Sequence, residues 1–198
     1  QANATPLLAG LAWRIYQYTQ ERDFLEEVFP GLYRFFNSWF TAQRDRDQDG
    51  MPEWLNAAQT GFEDHPFFTH WHKWSRGVDP TTVEGPDLSS YLYRECAALM
   101  RIARLIHRED VIDGLQTTAE NLRAAVESSW NEADASYHYR DRDTHASPGL
   151  LYQLTLTWPD EPNLPQHFTQ PVRLLVRLTT PDGVSRRAQV FLHGSSAS

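Results

Sequence analysis

A mainly α protein of paired helices, followed by a small antiparallel β-module, is what the sequence predicts. Three observations carry that reading. Apolar residues recur at three- and four-residue spacing from Leu7 to Trp130, the period of a helix with one buried face. A long stretch, 42–86, rich in aspartate, histidine and aromatic residues, divides the helical pattern into two pairs. After Trp130 the texture changes to prolines and a β-branched run.

In order along the chain, Leu7, Leu8, Leu11, Ile15 and Tyr18 line one face of a first helix. Residues 19–23 are a short polar break. Leu25, Val28, Phe29, Leu32, Phe35, Phe36 and Trp39 form a second stripe, and Pro30 predicts that this helix is kinked there or begins after it. The stretch 42–86 is long for a loop without secondary structure, and such loops are usually functional. Pro86 and Asp87 open a third helix, with Leu88, Tyr91, Leu92, Leu99, Ile102, Ala103 and Ile106 on its buried side. The fourth is the most regular: Val111, Leu115, Ala119, Leu122, Val126 and Trp130. Two helical hairpins joined by a long segment predict an open solenoid or a closed toroid. Beyond them, Tyr137 and Tyr139 alternate as in a short strand. Residues 171–180 and 188–193 read as a hairpin about the Pro181-Asp182-Gly183 turn. The boundaries expected are therefore 1–147 for the helical domain and 148–198 for a β-rich segment. Gln1 opens straight into a helical pattern and Ser198 closely follows a strand, so the chain is expected to be a segment of a longer protein.

Composition excludes several classes. Lysine and arginine number 18 against 26 aspartates and glutamates, a net charge of −8, which disfavours nucleic acid and anionic membranes as partners. No apolar run approaches the ~20 residues that span a bilayer, so a soluble chain is expected, its compartment left open. One cysteine, Cys96, permits no internal disulfide and falls where a small buried residue is the ordinary explanation. There is no Gly-x-Ser-x-Gly, phosphate-binding loop or dinucleotide fingerprint.

Three features carry chemistry. Asp45, Asp47 and Asp49 alternate before Gly50, with the Met51 carbonyl and Glu53 following; a turning chain so built points several oxygens at one centre, as a hard cation such as calcium requires. Spacing alone leaves a solvated acidic turn equally open. Glu63 and Asp64 adjoin Gly61, Phe62 and His65, a setting in which a carboxyl keeps its proton and serves as a donor; helix capping and core filling are the competing reading. Phe67, Phe68, His70, Trp71, His72 and Trp74 place flat apolar rings beside hydrogen-bonding groups, which suits a carbohydrate. Zinc held by His65, His70 and His72 has little support, since no His-Glu-x-x-His helix or nearby cysteine is present.

The order of these motifs resembles that of the (α/α)6-toroid glycoside hydrolases of the trehalase and glycoside hydrolase family 63 (processing α-glucosidase) group. The resemblance runs over about residues 1–145 and rests on Arg44-Asp45-x-Asp47-x-Asp49-Gly50-x-Pro52-Glu53-Trp54, Gln59-Thr60-Gly61-x-Glu63-Asp64-x-Pro66, and Pro86-Asp87-Leu88 opening a helix. It implies part of an (α/α)6 toroid, with structural calcium on Asp45, Asp47, Asp49, the Met51 carbonyl and Glu53. The general acid of the group falls on Glu63, where this sequence has glutamate in place of aspartate, followed by Asp64; either is the candidate acid. Trp54, Phe62 and Trp71 are candidate walls of a sugar site. The implied activity is inverting hydrolysis of an oligosaccharide or glucoside, with the general base outside this segment and the segment alone inactive. A non-catalytic helical scaffold and a carbohydrate-binding relative are the alternatives.

Overall fold

The structure is a computed structural model and describes residues 5–62, 64–69, 75 and 77–147. Its four α-helices are α1 (Leu8–Thr19), α2 (Arg22–Asn37), α3 (Pro86–Leu105) and α4 (Ile112–Ser128). Central α3 packs against the other three. It buries Leu88, Leu92, Cys96, Leu99, Ile102 and Ala103, so it is apolar over far more of its surface than an outer helix needs to be. Pro86 at its first position and Asp87 in its first turn suit a helix start, where an N–H is dispensable and a negative charge meets the positive end of the dipole.

The mainly helical expectation holds, with three local departures. The apolar stripe of α1 faces outward: Leu8, Leu11 and Ile15 are exposed and Tyr18 almost wholly so, whereas Ala9 and Ala12 are buried. The reason lies in α3. Glu95 is buried and accepts from the Ala9 and Gly10 backbone N–H groups at 2.7 and 2.8 Å, capping α1 from another helix where Leu7 supplies no side-chain cap. That approach needs a small-residue face, since a Cβ on Gly10 would already lie 3.2 Å from Glu95 Oε1. Secondly, α2 begins before Pro30 and runs across it. Pro30 and Glu26 are both exposed, so the carbonyl that the proline leaves without a partner is on the solvent side, where its loss costs least. Thirdly, Trp130 does not extend α4. It starts β2 (Trp130–Asn131), which pairs with β3 (Ser136–Tyr137), and its ring meets Tyr137 at 4.9 Å.

Two further short strands organise the long connection. β1 (Val83–Glu84) pairs antiparallel with β4 (Arg140–Asp141), placing Glu84 opposite Arg140, and Glu53 bridges to Glu84 from the other side. Residues distant in sequence thus meet at one place beside the start of α3. The predicted hairpin at 171–193, and with it the segment 148–198, lies outside the described residues. Among the described residues no helix is long and apolar enough to cross a membrane.

Candidate functional site

The acidic turn and β1 build one cluster. Gly50 takes φ +90°, a left-handed conformation that glycine adopts freely, and its N–H donates to Asp45 Oδ2 at 3.1 Å. The Met51 N–H donates to Asp49 Oδ1 at 2.8 Å. The Glu53 N–H donates to the Arg44 carbonyl at 2.6 Å, closing the loop back on itself. Arg44 is buried with its guanidinium 4.2 Å from the centroid of the Trp39 ring, so the turn is fixed to the end of α2.

Of the five expected ligands, Asp47 and Asp49 come together with two groups that sequence reasoning missed, Glu84 and His145. One ligand atom from each of the four lies within 4.8 Å of the others. His145 stands 3.6 Å from Asp47 and 3.7 Å from both Asp49 and Glu84 Oε1. Its backbone has φ +51°, as Gln48 in the turn has +61°, a strained conformation for residues with a Cβ and one that clusters at functional sites. Arg140 Nη2 bonds Glu84 Oε2 at 2.6 Å and touches the Met51 sulfur. Asp45 and Glu53 lie buried close by.

The electrostatics of this cluster are unbalanced. Among the described residues, both Glu53 oxygens, Glu84 Oε1 and Asp45 Oδ1 are buried with no partner at full hydrogen-bond geometry, the Arg46 backbone only partly offsetting the burial of Glu53. Burial pushes the Glu53 carboxyl up to about 7, with Asp47 and Asp45 adding repulsion. Burial likewise drives Glu84 up to about 7 despite Arg140, and raises Asp45. Buried carboxylates left without donors hold a proton or face a cation. Such a donor set, oxygen-rich with one imidazole, fits a divalent cation, and its carboxylates fit a hard one such as calcium.

The second constellation lies about Asp64 and His65. Glu63 and Trp71 lie outside the described residues, as do His70 and His72. Asp64 is exposed. Gly61 ends a 3₁₀ turn, Ala57–Thr60, with φ +80°, and Phe62 beyond it is 56% exposed, its ring edge-on to His65. Trp54, expected at a sugar wall, is instead completely buried. It packs edge-on against Trp39 and donates its indole N–H to Asp87 Oδ2 at 3.1 Å. His65 is buried, stacked on Phe68 at 4.3 Å, and burial lowers its pKa.

The helical hairpins thus frame a connecting segment beside which a carboxylate cluster and packed aromatic rings gather. The model of the mannosylglycerate hydrolase MGH1-like glycoside hydrolase domain matches residues 1–163, and the chain belongs to that family. No curated protein and no solved structure matches it. Carbohydrate is therefore its substrate class. Glu84 and His145 carried no local signal: each lies more than thirty positions from the turn, and only the Glu53–Glu84 bridge and the β1–β4 pairing bring them to it.

Proposed function

We propose that the chain is the acid-bearing part of an inverting glycoside hydrolase acting on α-linked glucosides or mannosides, steadied by calcium at the acidic turn. The observation that carries this reading is the family match over 1–163, which takes in the Glu63-Asp64 pair. Either Glu63 or Asp64 gives its proton to the glycosidic oxygen as the bond from that oxygen to the anomeric carbon breaks. A second carboxylate, ~6.5–9.5 Å away, takes a proton from water as the water attacks the opposite face of the sugar. In this reading the second carboxylate lies outside these residues, so the chain alone is inactive. Phe62 and Trp71 offer rings to the sugar.

Asp47, Asp49 and Glu84 would hold the calcium ion, with Asp45, Glu53 and the Met51 carbonyl supporting them from the turn. When bound, the ion would neutralise carboxylates that otherwise repel one another. The unpartnered oxygens of Asp45, Glu53 and Glu84 support that role. Arg140 and the β1–β4 pairing join the cluster to the strand that leads into α3.

The test is turnover by the complete gene product on a panel of α-linked glucosides and mannosides that includes mannosylglycerate. Hydrolysis of at least one is expected. A blank across the panel, with no sugar bound, would leave a helical scaffold as the better reading.

A further inference from the structure

We propose that Tyr139 and His65 form a clamp of ordered hydrogen bonds and stacked rings that positions the acid-bearing segment beside Gly85 at the start of α3; this rests on reading Glu63 or Asp64 as the general acid.

The segment's backbone bonds, among the described residues, run from Gly61 N–H to Ala58, from Thr69 N–H to His65, and from Val78 N–H to the Phe67 carbonyl. Among the described residues, the rings of His65, Phe67 and Phe68 all meet Tyr139. The Tyr139 ring stacks on Phe67 at 5.0 Å with 14° between planes, and meets Phe68 and His65 edge-on at 5.6 and 6.2 Å. A Cβ at Gly85 would lie 2.6 Å from Tyr139 Cε1 and 2.1 Å from Asp87 Oδ1, so the ring rests where only glycine leaves room.

The hydrogen bonds have a determined direction. The Phe67 N–H donates to His65 Nδ1 at 3.2 Å, so Nδ1 carries no proton and the neutral ring holds its hydrogen on Nε2. Nε2–H then donates to the Tyr139 hydroxyl at 3.4 Å. Beyond the hydroxyl, the Tyr139 ring lies against Gly85 at the start of α3, beside Asp87, whose Oδ2 accepts from the Trp54 indole. Hydrogen bonds thus tie His65 to Tyr139, and ring contacts carry the link on from Tyr139 to Gly85 at the start of α3. Burial keeps His65 neutral, and burial together with Asp87 raises the phenol pKa, so both groups hold these protonation states at neutral pH. His65 and Tyr139 are positioning residues: each acts through the acid beside His65.

Tyr139→Phe removes one oxygen and keeps the ring. In the complete gene product, kcat for a substrate with a sugar or alkyl leaving group is expected to fall at least about tenfold with KM little changed, because a misplaced acid delivers its proton poorly. An aryl glycoside of an acidic phenol leaves with little protonation, and its turnover should stay within about twofold. Equal losses on both substrates, or no loss on either, would overturn the positioning role. Nitrogen NMR of His65 in the same protein provides a readout apart from activity. The Nε2–H tautomer is expected in the wild type, and an Nδ1–H ring would overturn the clamp by itself. A wild type that cleaves neither substrate would instead remove the hydrolase reading on which the clamp depends.

Discussion

At pH 8, stripping calcium from the protein is expected to lower its melting temperature by roughly 10 °C, and at pH 5 by much less. An ion present at about a thousand times its Kd stabilises the folded state by roughly 4 kcal/mol, and each kcal/mol moves Tm by about 2–4 °C in a chain of this size. The pH dependence follows from Glu53 and Glu84. Their folded pKa values, about 7, stand above the ordinary glutamate value of 4.5. A carboxyl raised in this way contributes stability that is fully present below its unfolded pKa and is lost as pH rises through its folded one. Without metal, stability should therefore fall between about pH 4.5 and 7 and stay low above that window. Calcium should restore it where the carboxylates are ionised. Glu53→Gln, a neutral group in a position where neither oxygen has a partner at full hydrogen-bond geometry, should raise the metal-free Tm at pH 8 and flatten the pH profile. Melting curves at several pH values, with calcium and with chelator, measure all of this. A metal-free Tm that climbs from pH 5 to 8 would contradict the account.

In the complete protein, one of Glu63→Gln and Asp64→Asn should cost about 10²–10⁴-fold in kcat, the usual worth of a general acid, and the other much less. Adjacent side chains cannot both reach one glycosidic oxygen, so a comparable loss from each would argue against a single donor. Calcium-dependent melting should be unchanged in both variants, since neither residue is among the ligands proposed for the ion. Steady-state kinetics on the best substrate, with melting as the control, distinguishes a lost proton donor from a damaged fold.

Much of the helical frame was legible because hydrophobic period and burial agree. Leu25, Phe29, Phe36 and Trp39 on α2, and Leu115, Ala119 and Leu122 on α4, are buried as their spacing predicts. The period misled in α1, where the bulky stripe marks the outward face and the small residues mark the contact. What decided the packing there was Glu95, an acidic residue eighty-odd positions away that needs close approach to reach two backbone N–H groups. The carboxylate-rich turn was equally plain in sequence, as alternation before a glycine. Which oxygens meet was not, because register between β1, β4 and Glu53 places Glu84 and His145, and register has no signature in strands two residues long. Tyr139 shows the same limit: it read as a strand residue, yet its neighbours are His65, Phe67, Phe68 and Asp87.

The most direct measurement is the anomeric configuration of the first sugar released by the complete gene product from an α-linked substrate, followed by proton NMR before mutarotation. Direct attack by water on the face opposite the leaving group predicts that the β-anomer appears first. An α-anomer appearing first would mean a covalent intermediate and retention, and would contradict the inverting mechanism proposed for this protein.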